Sequence, residues 1–109
     1  MIDWARVTDL AREIGEDSFD EVAALFMDEA DDAVARLGGA QSAKALEAEL
    51  HFLKGAALNL GFVRLATLCQ EGERRAATGS ADIDLAEIVA VYHQSKAAFS
   101  RGRAAATGG

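Results

Sequence analysis

At 109 residues the chain is one domain, large enough for a single core and too short for two. Its 18 acidic residues outnumber 11 basic ones, a net charge of -7 that argues against nucleic acid or an anionic membrane as partner and favours a basic protein patch. Alanine is the commonest residue, proline is absent, and the single cysteine, Cys69, excludes an internal disulfide, so an all-α intracellular domain is expected.

The opening MIDWARVTDLAREIGED is charged throughout and lacks a signal-peptide core, and no apolar run approaches the roughly 18 residues of a membrane span, so a cytoplasmic location is expected. Asp3 can cap a first helix from Trp4 to Ile14, with Trp4, Val7, Leu10 and Ile14 on one face and Gly15 ending it. Asp17 or Ser18 then opens a second, with Phe19, Val22, Phe26, Ala30, Ala33 and Leu37 as its apolar stripe and Asp28, Asp31 and Asp32 facing water. Gly38 and Gly39 close it.

The third helix, from about Ser42 to Leu60, carries Leu46, Leu50, Leu53, Ala57 and Leu60 in steps of four and three, the narrow seam of a bundle, and Gly61 stops it. A fourth, from about Val63 to Thr78, buries Leu65, Leu68 and Gly72. A fifth, from about Asp84 to Arg101, turns Leu85, Ile88, Tyr92, Ser95 and Phe99 inward. Four long amphipathic helices with short glycine-containing joints predict an all-α, antiparallel up-down-up-down four-helix bundle with the short first helix capping one end. The domain is expected over 1–103, with residues 104–109 as a flexible tail.

One stretch departs from the core logic. At about 100° per residue, His51 falls roughly 140° from the seam of the third helix and should be exposed. Gly55 lies one turn further on that outward face, with Lys54 between it and the core. A mid-helix glycine costs about 1 kcal/mol relative to alanine, and on a water-facing surface packing does not repay it. Close approach by a group on His51, or by a partner, would. Taken singly, each residue reads more simply as solvated surface or a tolerated glycine; together, in one short unit, they read as a site.

His51-Phe52-Leu53-Lys54-Gly55-Ala56-Ala57-Leu58-Asn59-Leu60-Gly61 closely resembles the signature of histidine-containing phosphotransfer (HPt) domains, H-x-x-K-G followed by two small residues and a later L-G. Members of that family are four-helix bundles with an additional N-terminal helix and a solvent-facing phosphorylated histidine midway along a long helix. The chain has about the size of one such domain and looks like a free-standing member.

The resemblance implies that His51 accepts and donates the phosphoryl group through Nε2, a role that suits imidazole because it keeps a nucleophilic lone pair near neutral pH. It implies that Lys54 pairs with phosphoryl oxygens, that Gly55 leaves room for the phosphoryl group and an incoming receiver domain, and that the function is a phosphorelay shuttle between receiver aspartates. Glu73, 22 residues after His51, stands where the family often places a group that accepts from histidine Nδ1–H; it fits equally a charged face with Glu71, Arg74 and Arg75. Leu58, bulkier than the small residues often found there, either contacts the receiver or folds inward between helices. Implied partners are response-regulator receiver domains and a hybrid sensor kinase, with magnesium on the receiver, no cofactor on this chain and a monomeric state. The alternative is a module that binds a receiver or kinase and regulates it without carrying phosphoryl.

The remaining chemistry-bearing residues read as structural. His93 has no second ligand at metal spacing, Cys69 has no motif marking it as a nucleophile, and Trp4 reads as an anchor for the first helix. No glycine-rich strand-turn-helix signal for ATP occurs, so the chain is not expected to phosphorylate itself.

Overall fold

The structure, a computed structural model, describes residues 2–39 and 42–108, with side chains as far as residue 102. Its order is α1 (Trp4–Ile14), α2 (Glu16–Leu37), α3 (Ala43–Leu60), α4 (Val63–Ala77) and α5 (Leu85–Gly108). Among the described residues there is no strand, and an isolated antiparallel bridge joins Ile2 to Phe62. Among the described residues no helix is long and apolar enough to cross a membrane.

Local chemistry sets the helix ends. Asp3 accepts a hydrogen bond from the Arg6 amide and Ser42 one from the Ala45 amide, satisfying donors that the first turns of α1 and α3 leave free. α2 begins at Glu16, earlier than Asp17 or Ser18 would have placed it. Gly15, at φ 90°, separates it from α1 and supplies no side-chain cap, while Glu16 and Asp17 set negative charge at the positive end of the helix. Asp84 accepts from the Glu87 amide ahead of α5. α5 then continues to Gly108 instead of giving way near Arg101, in keeping with the high helix propensity of Ala104, Ala105 and Ala106. The backbone over 104–108 is therefore helical, and of the expected tail only Gly109 lies outside the described residues.

The α3 seam is buried throughout, with Leu50 and Leu53 fully enclosed. α3 and α4 share the most extensive interface, and α2 packs on α3, α4 on α5 and α2 on α5. On α2 the stripe rotates from its expected position. Ala23 is buried and Val22 and Phe26 are half-buried, while Phe19, Ala30, Ala33 and Leu37 go inward. Leu68 and Leu85 are half-buried against the core. Trp4 is partly exposed and stacks on Phe99 with ring centroids 5.7 Å apart.

Asp31 corrects the expectation of a water-facing acidic side. Asp28 and Asp32 are exposed, but Asp31 turns toward α5, where Tyr92 donates its hydroxyl to Oδ1 and Lys96 Nζ stands 3.0 Å from both carboxylate oxygens. A buried tyrosine needs a partner for its hydroxyl, and α2 supplies it. Burial pushes the Asp31 carboxyl upward, but the Tyr92 and Lys96 hydrogen bonds and the lysine charge outweigh it and hold the group below the usual carboxylate range.

Gly61 ends α3 in the left-handed conformation, φ 75°, and its amide returns to the carbonyls of Ala57 and Leu58. The Asp3 amide donates to the Gly61 carbonyl at 2.7 Å, and Arg6 donates to the Asn59 side chain at 3.1 Å. The start of α1 is thereby fastened to the corner where α3 passes into α4.

Candidate functional site

Two helices build the site. The inward faces of α3 and α4 are rich in small residues, including Ala56, Ala57, Ala66, Cys69 and Gly72. At Gly72 the approach is so close that a Cβ would lie 2.9 Å from Leu50 Cδ1. This packing brings Glu73, the next residue of α4, within reach of the outward side of α3.

There His51 is exposed, with 71% of its side chain open to solvent, and its Nδ1 lies 2.9 Å from Glu73 Oε1. The second carboxylate oxygen, Oε2, lies 2.9 Å from Lys54 Nζ. One carboxylate thus serves two residues of the same helical turn. Oε2 is shut off from solvent and is met by the lysine as an ion pair without the alignment of a full hydrogen bond.

The Lys54 interaction holds the Glu73 carboxyl below its usual range, against the opposing effect of burial, and His51 adds to the depression. Glu73 is therefore ionised at neutral pH and has no proton to give. The hydrogen bond to His51 then requires Nδ1–H as donor, the tautomer that leaves the lone pair on Nε2.

Gly55 lies on the same outward face, and no atom beyond its immediate surroundings stands within 4 Å of where a Cβ would sit. The fold itself makes no demand for glycine there. Leu58 is 55% exposed, which settles its orientation: it faces outward and does not fold between the helices. Phe52 and Val63 are also exposed large apolar residues, a feature that helical periodicity left unassigned. Shallow grooves flank the α3 ridge, one lined by Phe26, Phe52, Gly55 and Asn59, the other by Leu58, Val63, Ala66 and Thr67.

Cys69, one turn before Glu73, is fully buried, and burial followed by the Glu73 charge pushes its thiol up to about 12. It is a protonated packing group, as its sequence context suggested. His93 is exposed, with its ring tilted against Tyr92 at 5.3 Å. Among the described residues no group of three or more His, Cys, Asp or Glu is arranged to hold a metal ion.

The site therefore unites His51, Lys54 and Glu73 in direct contact and places Gly55 and Leu58 beside them. The Lys54–Glu73 pair is the contact that sequence reasoning missed. The family resemblance directs both residues to His51 or its ligand, and a separation of 19 positions across two helices carries no local signal for the pair.

Comparison with known proteins identifies the family and the fold. The model of the Hpt domain family matches residues 21–101, a span that includes His51, Lys54, Gly55, Leu58 and Glu73. No curated protein matches the chain in sequence. Among solved structures the chain is similar to histidine-containing phosphotransfer protein B (HptB) from Pseudomonas aeruginosa PAO1, with a TM-score of 0.68 and 27% sequence identity over 91% of this chain and 84% of that one. With most of its length matched by the family model and its fold shared with a phosphotransfer protein, the chain belongs to the Hpt domain family, whose work is histidine phosphotransfer in two-component signalling.

Proposed function

We propose that His51 is the phosphoryl carrier, accepting the group from an aspartyl phosphate on one receiver domain and passing it to an aspartate on another. The observation that carries this reading is the hydrogen bond between His51 Nδ1 and Glu73 Oε1 on an otherwise exposed imidazole. In the forward step the Nε2 lone pair attacks phosphorus, an N–P bond forms, the acyl O–P bond breaks and the aspartate leaves as a carboxylate. The ring becomes cationic as Nε2 is substituted, and Glu73 places a negative charge beside Nδ1–H, where that cation is shared. Reversal of the same step returns the phosphoryl group to an aspartate, since the phosphorylated ring leaves as a neutral imidazole.

Gly55 leaves clearance for the receiver's acidic pocket, and Leu58 offers it an apolar contact. Lys54 is the positive charge within reach of the phosphoryl oxygens. The receiver supplies magnesium and the acceptor aspartate, and a hybrid sensor kinase lies upstream. In this reading the protein acts as a cytoplasmic monomer, with α2–α5 as an antiparallel up-down-up-down bundle. The short joints and the pairing of α2 with α3, α3 with α4, α4 with α5 and α2 with α5 support that arrangement.

Incubation with a ³²P-labelled receiver domain tests the proposal. Wild type is expected to take up acid-labile label and His51→Gln to take up none; equal labelling of the two, or none of either, overturns it. Binding without phosphoryl transfer would leave the held tautomer of His51 without a purpose, so the carrier reading is preferred to a purely regulatory module.

A further inference from the structure

Lys54 is not free in the resting protein. Its ammonium is 2.9 Å from Glu73 Oε2, and its side chain is only 23% exposed. If the lysine turned toward a phosphoryl group on His51, Oε1 would keep its bond to Nδ1–H but Oε2 would remain buried with no partner, which carries a penalty. The lysine stem is flexible enough to reach either anion, yet one ammonium cannot fully serve both. Glu73 and the phosphoryl group on His51 are thus rivals for the same cation.

We infer that Glu73 is a positioning residue that withholds Lys54 from the phosphoryl group, so that phosphorylated His51 gains less from the lysine than the proximity of the two residues would give. This deepens the carrier reading and rests on it. A carrier that must release its phosphoryl group benefits from this restraint, because a fully engaged lysine would stabilise the charged intermediate and slow its onward transfer. The opposite arrangement, in which Glu73 presents Lys54 to the phosphoryl group, predicts an effect of opposite sign.

A double-mutant cycle separates the two, using phosphoramidate as donor. His51 Nε2 forms its N–P bond as the donor's N–P bond breaks and ammonia leaves. At fixed pH and ammonium concentration, the equilibrium fraction of phospho-His51 is read by ³¹P NMR for wild type, Lys54→Met, Glu73→Gln and the double variant. Methionine keeps the apolar stem of the lysine, and glutamine keeps an oxygen acceptor for Nδ1–H. Removing Lys54 is expected to lower the phosphorylation constant by a factor about threefold or more larger in the Glu73→Gln background than in the wild-type background. An equal factor in both backgrounds, or a larger one with Glu73 present, overturns the inference while leaving the carrier reading intact. Wild type that forms no phospho-His51 overturns both.

Discussion

With nothing within 4 Å of a Cβ at Gly55, the glycine is a cost borne by the free protein. Gly55→Ala is expected to stabilise the fold by about 1 kcal/mol through helix propensity alone, measured by urea denaturation. Gly55→Gln should also leave stability undiminished but cut transfer from a receiver at least about tenfold, since its side chain rises beside His51 where the partner must come down. Loss of fold and transfer together would make the glycine structural instead. The outward faces of His51 and Gly55 and the setting of Lys54 between that face and the core were all legible in the sequence because they are properties of one helix and follow from its period. The orientation of Leu58 was not, since position on a helix face fixes direction only to within the width of the groove beside it. The double duty of Glu73 was hidden for a different reason: it depends on how closely α4 lies against α3, which small residues permit but do not specify.

Between elements, the corner of α3 and α4 leaves no room for a side chain at Gly61. At Gly61 a Cβ would lie 2.7 Å from the Asp3 carbonyl oxygen, and the residue's φ of 75° is itself unfavourable for any side chain. Gly61→Ala is expected to destabilise the protein by about 2–4 kcal/mol, read as a lower urea midpoint with an unchanged slope; a loss below about 0.5 kcal/mol would show that the backbone relaxes freely there. That α3 stops at Gly61 was plain from the sequence, because glycine after a periodic run marks a helix end. Which segment crosses over that glycine was not, because the contact joins residues 58 positions apart. The same holds for Tyr92. Its place in the apolar stripe of α5 was evident, while the α2 carboxylate that satisfies its hydroxyl lies 61 positions away.

Across the whole molecule, the Asp31–Tyr92–Lys96 cluster joins α2 to α5 and gives stability a dependence on acid. The folded protein holds Asp31 below its ordinary range, so the unfolded chain binds a proton first as pH falls. The contribution of Asp31 is accordingly full above the ordinary carboxylate range and lost as pH drops through the lower, folded value. Asp31→Asn is expected to cost about 1 kcal/mol at neutral pH, and in urea titrations the gap from wild type should close as pH falls from the ordinary carboxylate range through the lower, folded value. A gap that stays constant would mean that shape rather than charge holds the cluster.

The contacts of α1 bear on what counts as one unit. The family match begins at residue 21, after α1 has ended, yet the Asp3 amide and the Arg6 guanidinium reach the last turn of α3, and Trp4 stacks on Phe99 of α5. The span matched by the family model and the span joined by these contacts therefore have different borders. His51 and Glu73 sit on the two helices that meet at the corner α1 clamps, so a segment outside the span of the family model braces the helix pair that carries them.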